Sequence, residues 1–423
     1  MARQINRRKF LSNGPPALLA AGAVLSSAPA AIAKSAKKSS AEATDYYKKL
    51  GVTPLINAAG TYTVLSASTM PDEVQAAIAL ASKSPVNLNE LQDAAGEYLA
   101  KKLRCEAALI TSGAAGALVV GTAACVTRGN GSAILNIPTD MDGLKNEVIV
   151  QKSHRYDYDH AVRNCGIRFV DVETLDQYEN AFNDKTVMAH FFNAAEGKIS
   201  REDWVRVAHA HNVPCFNDAA ADVPPISNLW NYTQMGFDLV TFSGGKGLRG
   251  PQCTGLLLGK KDLIEAAKKN NSPNSNTVGR GMKVAKEEIV GLVAAVDWFL
   301  EQNDADMEAE YRARAERIAQ QIKRVPSVQT QVFIPEVAAN HVPHLLVTYD
   351  QQQIRITGKE VMHQMRAGKP RIELNPSTGG PPASAGLPGG DNTIVVGVWM
   401  LQPGEDKIVG NRLREVLETA SKS

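Results

Sequence analysis

The sequence of 423 residues has few cysteines and little net charge. Its five cysteines are scattered singly, without a CxxC pair or metal-ligand spacing. We therefore expect reduced, unpaired thiols and predict neither a disulfide framework nor a metal site. The formal net charge is only +2, and the four basic residues at positions 1–33 exceed it. The remainder is slightly acidic, so nothing indicates a nucleic-acid partner.

Long hydrophobic runs are also missing after position 33, so no bilayer span is predicted there. The N-terminus differs, because NRRKFLS at 6–12 precedes an alanine-rich apolar stretch that ends in Ala31-Ile32-Ala33. Paired arginines before Phe10 and Leu11 resemble the twin-arginine export signal, which carries folded proteins. We predict a twin-arginine-type signal peptide at 1–33, a linker at 34–44, periplasmic localisation and no membrane anchor. A plain secretory signal or a basic tail is the alternative.

Strand-like and helix-like runs alternate from position 107 onward, which predicts an α/β fold with a largely parallel sheet wrapped by helices. The strands are expected at 107–111, 147–151, 168–172, 187–192, 214–218, 239–243 and 255–259. We assign this large domain to 45–294. A long charged helix at 285–323 is predicted to lead into a smaller α/β domain within 295–423. Its strands are expected near 344–349, 370–374 and 393–399.

Residues 241–251, TFSGGKGLRGP, place one lysine among glycines directly after an apolar run. Lys246 therefore follows the end of a predicted strand, where glycines let the backbone approach other groups closely. A glycine-rich turn with a solvated lysine is the simpler interpretation. The residues at the other strand ends distinguish a solvated lysine from a ligand-binding one, because ligands of an open α/β sheet bind at the carboxyl ends of its strands.

Three other strand ends carry residues that suit one cofactor: TSGAAGAL (111–118), HRYDYDH (154–160) and FNDAA (216–220). Pyridoxal 5′-phosphate (PLP) needs a lysine for its Schiff base, a carboxylate at its ring nitrogen, a phosphate site and a flat group to stack on the ring. The sequence offers, in that order, Lys246, Asp218, the turn Ser112-Gly113-Ala114-Ala115 with Ser243, and His154. We therefore predict a PLP site at this edge of the sheet.

The run FDLVTFSGGKGLRGPQCTGLLLG (237–259), with TSGAAGAL, HRYDYDHAVRNCG and VGRGMKVAKEEIVGL (278–292), resembles a known family. It is similar to the selenocysteine synthase (L-seryl-tRNA selenium transferase) branch of the fold-type I, aspartate aminotransferase-like PLP enzymes. Within that branch it resembles the relatives of D-glucosaminate-6-phosphate ammonia lyase. The resemblance covers residues 45–405. It implies that Lys246 carries the cofactor, Asp218 pairs with the pyridine nitrogen, His154 stacks on the ring, and Ser112 to Ala115 with Ser243 bind phosphate.

Two departures from the selenocysteine synthases bear on the substrate. The place of their N-terminal tRNA-binding domain is taken by the predicted export signal and linker, and an exported enzyme meets no aminoacyl-tRNA and little sugar phosphate. We therefore expect a small amino acid or amino sugar acid as substrate. α,β-Elimination of the ammonia-lyase or dehydratase type is the predicted reaction. An aminotransferase, a racemase and an exported PLP-binding protein without turnover are the alternatives.

Three further residues are candidates for contacts with the ligand. Arg371, in GKPRIEL, is either a clamp for a substrate carboxylate or a surface arginine. Arg280, in VGRGMK, is predicted to reach phosphate or substrate, including from a neighbouring subunit of a homodimer or higher homo-oligomer. Asn193, which ends the strand VMAHFF, is predicted to contact the phenolic oxygen of the cofactor.

Overall fold

The computed structural model describes residues 44–193, 197–335, 340–381 and 386–422. The predicted signal peptide at 1–33 lies outside these ranges, as does the linker up to residue 43. The described chain divides into one unit that ends at Thr53 and a second that begins at Pro54. The first unit contains α1 (Tyr46–Leu50), which begins after a side-chain cap by Asp45 and ends at Gly51 in the left-handed conformation. Within the described ranges, no helix combines the length and the apolar composition that crossing a membrane requires.

The second unit holds the remaining strands and α-helices of the described residues. Its strands are β1 (Leu55–Ala58), β2 (Ala107–Ser112), β3 (Glu147–Gln151), β4 (Arg168–Val172), β5 (Thr186–Phe192), β6 (Cys215–Asp218), β7 (Leu239–Ser243), β8 (Thr254–Gly259), β9 (Gln329–Phe333), β10 (His344–Thr348), β11 (Arg371–Leu374) and β12 (Thr393–Gly397). Its helices are α2 (Asp72–Ala81), α3 (Leu88–Lys102), α4 (Gly113–Thr127), α5 (Gly131–Asn136), α6 (Asp159–Arg163), α7 (Leu175–Asn180), α8 (Arg201–Ala210), α9 (Asn228–Met235), α10 (Lys261–Asn270), α11 (Lys286–Leu300), α12 (Asp304–Ile322), α13 (Gly358–Ala367) and α14 (Glu405–Ala420).

The large sheet confirms the predicted, mostly parallel arrangement. Its seven strands follow the order β2-β8-β7-β6-β5-β3-β4. Only β8 runs against its neighbours, pairing antiparallel with both β2 and β7. Every residue of β3 and of β8 is buried, as expected for strands covered on both faces. The carboxyl ends of β2, β3, β5, β6 and β7 therefore meet at one edge of the sheet.

Two apolar layers cover this sheet. One contains residues from α3, α8 and α11, including Trp204, Leu292 and Leu99. The other contains α4, α6 and α10, and in α4 every residue from Gly116 to Thr127 is buried. A helix that is apolar on all sides belongs inside the protein, so α4 lies under the sheet with only its first turn open.

The C-terminal part differs from the predicted arrangement in two ways. The helix expected at 285–323 is two helices, because the Asn303 side chain accepts from the backbone N–H groups of Ala305 and Asp306 and begins α12 there. Strand β9 was not predicted, and it completes an antiparallel sheet in the order β12-β10-β9. Strand β11 is not in that sheet but pairs parallel with β1. The division of the chain at residues 294 and 295 stays a prediction.

Candidate active site

The glycines around Lys246 allow the loop after β7 to fold tightly against its neighbours. A Cβ atom on Gly245 would lie 2.4 Å from the Cα of Gln252, and one on Gly247 would lie 2.1 Å from the backbone oxygen of Val223. Both contacts are with backbone, which cannot move aside easily. The backbone N–H of Gly250 donates to the oxygen of Gly244 at 2.7 Å and closes the loop. The glycine-rich sequence thus places Lys246 at a defined position, which a solvated turn does not need.

Lys246 lines a cleft with a volume of about 250 Å³. Among the described residues, the structure records no hydrogen bond or ion pair for its amine. Burial lowers the pKa of Lys246, and the negative charges of Asp218 and Asp222 oppose this shift. A buried amine with a lowered pKa and no fixed partner is available for covalent chemistry.

Asp218 lies at the carboxyl end of β6 and is only 3% exposed. Its Oδ1 accepts from the backbone N–H of Ala220 at 3.0 Å, and its Oδ2 accepts from the hydroxyl of Tyr156. Burial raises the pKa of Asp218, while these two hydrogen bonds and the charge of Lys246 act in the opposite direction. A buried carboxylate at this place is what the predicted role at a ring nitrogen requires.

Asp222 is a second buried carboxyl group; it lines the cleft together with Lys246, and it was not among the predicted site residues. Its Oδ2 accepts from Asn193 Nδ2 at 2.8 Å and from the hydroxyl of Tyr232 at 3.0 Å. Burial, with a further contribution from the charge of Asp218, raises the pKa of Asp222 to about 7. The sequence feature that could have identified Asp222 is its place after three alanines in NDAAAD (217–222), an apolar setting in which a carboxyl group is unusual.

Asn193 lies directly after β5, and its side chain is fully engaged within the protein. Its amide nitrogen donates to Asn217 Oδ1 at 2.9 Å as well as to Asp222, and its oxygen accepts from Arg201 Nε at 2.8 Å. The structure therefore brings Asn193 to the group of buried carboxyls at the cleft. Its predicted contact with a phenolic oxygen stays a prediction.

The predicted stacking residue, His154, is completely buried, with 0% exposure. Its Nδ1 accepts from the backbone N–H of Phe192 at 3.3 Å, and its ring meets the edge of Phe191 with a centroid distance of 4.5 Å. Tyr156, two residues further along, contacts Asp218 instead and stacks on Phe192 at 4.1 Å. Stacking by His154 stays a prediction, and Tyr156 is the aromatic residue that the structure places at Asp218.

The predicted phosphate-binding turn opens α4. Ser112 ends β2, Gly113 has a φ of 70°, and the side chain of Ser112 makes no capping bond to the helix. Residues 112–114 are half-buried and Ala115 is exposed, whereas the rest of α4 is buried. Ser243, the other predicted phosphate ligand, ends β7 at the same edge of the sheet. The free N–H groups and the positive end of α4 are suited to an anion.

The chain matches the protein-family model "SelA: L-seryl-tRNA selenium transferase" over residues 55–340. This chain belongs to that family. It is 28% identical over 393 residues to the D-glucosaminate-6-phosphate ammonia lyase of Salmonella typhimurium, which covers 89% of this chain and 98% of the relative. It is 27% identical over 343 residues to the 5′-C-glycyluridine monooxygenase-decarboxylase of a Streptomyces species, with 78% and 83% covered.

A solved structure of D-glucosaminate-6-phosphate ammonia lyase superposes on 90% of this chain and 100% of its own, with a TM-score of 0.75 and 26% sequence identity. The SelA-family chain therefore has the α/β fold of the fold-type I PLP enzymes and is an enzyme of the lyase or transferase class. The groups at this end of the large sheet fit PLP: an amine without a recorded ionic partner among the described residues, a buried carboxylate, and a helix N-terminus whose first turn is open.

Both predicted arginine ligands make contacts elsewhere in the SelA-family chain. Arg371 donates from Nε and Nη2 to Glu373 Oε1, at 2.8 and 2.6 Å. Arg280 Nη1 lies 3.4 Å from the hydroxyl of Ser272. Neither arginine lines the cleft with Lys246. Their predicted roles toward a carboxylate or phosphate, including from a neighbouring subunit, stay predictions.

All five cysteines are free, as expected from their spacing. Cys253 is the exposed one, and its thiol donates to Glu288 Oε1 at 2.8 Å. Burial and the charge of Glu288 raise its pKa to about 12. Because the thiolate is the reactive form, this environment disfavours reaction of Cys253 at neutral pH.

Proposed function

We propose that this enzyme binds PLP through Lys246 and eliminates a leaving group from Cβ of a small amino acid or amino sugar acid. The position of Lys246 supports this most directly, because its amine lines the cleft without a recorded partner, close enough to Asp218 and Asp222 for their charges to affect its pKa. In a reaction that removes water, the Cα–H and Cβ–O bonds break, and hydrolysis of the resulting enamine releases ammonia and a 2-oxo acid.

Each residue has a distinct task in this proposal. Lys246 Nζ takes the proton from the substrate Cα, which its lowered pKa favours by keeping part of the amine neutral. Asp218 holds a proton at the ring nitrogen, and the N–H groups at the start of α4 hold the phosphate. When bound, PLP supplies the electron sink for the pair of electrons left at Cα. Asn193 keeps the side chain of Asp222 in place beside the cleft.

The walls of the cleft support a hydroxylated substrate. Thr61, Tyr62, Asn340, Asn375 and Trp399 line it together with Lys246. Their hydroxyl and amide groups both donate and accept hydrogen bonds and the indole N–H donates, which matches the hydroxyls of a sugar acid. The ammonia lyase relative, named for an amino sugar acid phosphate, supports elimination as the reaction. A transamination or racemisation at the same site is the second candidate, because each begins with the same loss of the Cα proton.

Purified holoenzyme incubated with D-glucosaminate, its 6-phosphate, serine, threonine and alanine distinguishes these reactions. Elimination gives ammonia and a 2-oxo acid in equal amounts, and only from substrates with a leaving group at Cβ. Racemisation changes the optical rotation without releasing ammonia, and transamination consumes an added 2-oxo acid. Alanine has no leaving group at Cβ, so release of ammonia and a 2-oxo acid from alanine as the sole substrate would contradict the elimination.

Attachment of the cofactor is tested separately. Borohydride reduction of the holoenzyme should leave a pyridoxyl group on the peptide that contains Lys246, located by mass spectrometry. Lys246→Ala should lose this label, and Lys261→Ala, which changes an exposed lysine at the start of α10, should keep it. A label on another lysine in the wild-type protein would disprove the assignment.

A further inference from the structure

A group of three metal-binding side chains lies at the edge of the sheet opposite the cleft. Cys215 is the first residue of β6, whereas Asp218 is the last. Asp238 directly precedes β7, and His209 lies in the last turn of α8. Asp238 and His209 are 23 and 6 residues from Cys215 in sequence, so the fold alone brings the three together.

The donor atoms of this group lie 3.0 to 3.8 Å apart, close to the spacing in a metal site. His209 Nε2 lies 3.0 Å from Asp238 Oδ2, Cys215 Sγ lies 3.3 Å from the same oxygen, and Sγ lies 3.8 Å from Nε2. Bond lengths of about 2.0 to 2.3 Å in a tetrahedral zinc site place neighbouring donors roughly 3.3 to 3.6 Å apart. We propose that His209, Cys215 and Asp238 bind a divalent transition-metal ion of the zinc type.

The donor set selects the class of ion. One sulfur, one imidazole nitrogen and one carboxylate oxygen suit Zn²⁺ and its neighbours, whereas Ca²⁺ and Mg²⁺ require oxygen ligands. The side chain of His209 is 43% exposed, and that of Asp238 is 13% exposed. A surface cavity lined by His209, Asp238 and Asp262 opens beside the group. An ion therefore enters from this side, and water completes its coordination.

The positive charges nearby weaken the attraction of this site for a cation but do not abolish it. Lys260 and Arg128 line the same cavity. Lys260 is paired with Glu106 at 2.8 Å, so much of its charge is already balanced. Asp238 and the Cys215 thiolate together match the charge of a divalent ion, and Asp262 adds another negative charge at the cavity.

Metal binding replaces a proton at Cys215. Burial and the charge of Asp238 raise the pKa of the thiol well above its ordinary value, so without an ion Sγ keeps its proton and donates it to Asp238. On binding, the Sγ–H bond breaks, the proton passes to solvent and the sulfur lone pair bonds to the ion. The proton that His209 Nε2 donates to Asp238 Oδ2 is replaced by one taken up at Nδ1 from solvent, so the Nε2 lone pair is free to bind the ion and this nitrogen adds no net proton to the count. The backbone N–H of Cys215 donates to Asp238 Oδ2 at 2.8 Å and holds the carboxylate in position. Affinity should therefore rise with pH, with one proton released for each ion.

The experiment measures binding to metal-stripped full-length protein. Zn²⁺ is titrated against a chromophoric chelator, and calorimetry in two buffers of different ionisation enthalpy counts the protons. Co²⁺ is the spectroscopic probe, because a thiolate ligand gives an intense charge-transfer band in the near ultraviolet. We expect one site per chain, one proton released and the thiolate band.

His209→Gln is the main variant, because His209 is half-exposed and its loss leaves the core intact. It should weaken Zn²⁺ binding about tenfold or more, as should Cys215→Ser. His211→Gln, an exposed histidine two residues away that stacks on Phe182, and Cys105→Ser are the matched controls and should bind as the wild type does. Equal affinity in wild type and His209→Gln, or a Co²⁺ spectrum without the thiolate band, would overturn the proposal. Neither outcome bears on PLP attachment at Lys246.

Discussion

The raised pKa of Asp222 predicts how the stability of the folded protein depends on pH. This pKa is raised from 3.8 to about 7 in the folded protein, with burial as the largest cause. The folded state therefore holds this proton more tightly than the unfolded chain does. Between about pH 4 and pH 7 the unfolded chain has lost the proton and the folded protein has not, so the contribution of Asp222 to stability falls as the pH rises.

The size of this effect follows from the difference in pKa. A difference of about three corresponds to roughly 4 kcal/mol, since each pKa unit equals about 1.4 kcal/mol. Asp222→Asn removes the titration and keeps the shape of the side chain, including an oxygen that can accept from Asn193 and Tyr232. Relative to the wild type, the variant should therefore become more stable as the pH rises from about 4 to about 8, by as much as that amount.

Urea unfolding of both cofactor-free proteins at several pH values measures this difference directly. Taking the variant minus the wild type cancels the titrating groups that do not interact with Asp222. Asp184→Asn, which changes an exposed aspartate, is the control and should follow the wild type at every pH. A difference between wild type and Asp222→Asn that stays constant from pH 4 to pH 8 would show that Asp222 does not hold its proton near neutrality.

Three further predictions test the loop, the ring partner and the export signal. Gly247→Ala should destabilise the protein by about 1–3 kcal/mol and prevent borohydride labelling, because the new Cβ would lie 2.1 Å from a backbone oxygen. Gly281→Ala is the control and should be neutral in both assays, because its Cβ would meet nothing within 4 Å. Equal behaviour of the two variants would contradict the packing argument. Asp218→Asn should keep cofactor but lose orders of magnitude in kcat, and turnover within about threefold of the wild type, roughly 0.6 kcal/mol, would remove its role. Replacing both Arg7 and Arg8 with lysine should leave precursor in the cytoplasm on cell fractionation, and unchanged periplasmic delivery would show that the arginine pair is incidental.

The main features of the large sheet could be predicted because they rest on local patterns. Short buried runs alternate with helical periodicity, and each strand can be recognised from its own residues. Lys246 and Asp218 could be proposed as site residues for the same reason, since Asp218 ends such a run and Lys246 lies shortly after one. The break at Asn303 also had a local signal, an asparagine before Asp304, but helical periodicity on both sides concealed it.

Tertiary structure alone decided which distant segments meet. The pairing of β1 with β11, the reversed direction of β8 and the contact of Tyr156 with Asp218 join residues far apart in the chain, and no periodicity in a single sequence encodes such pairs. The raised pKa of Asp222 depends on burial that only the completed cleft supplies. The sequence by itself therefore determined the class of fold and the position of Lys246 just after a strand, because hydrophobic patterning and backbone freedom are local properties. The electrostatics of the cleft required the folded chain, because burial and charge proximity depend on the whole structure.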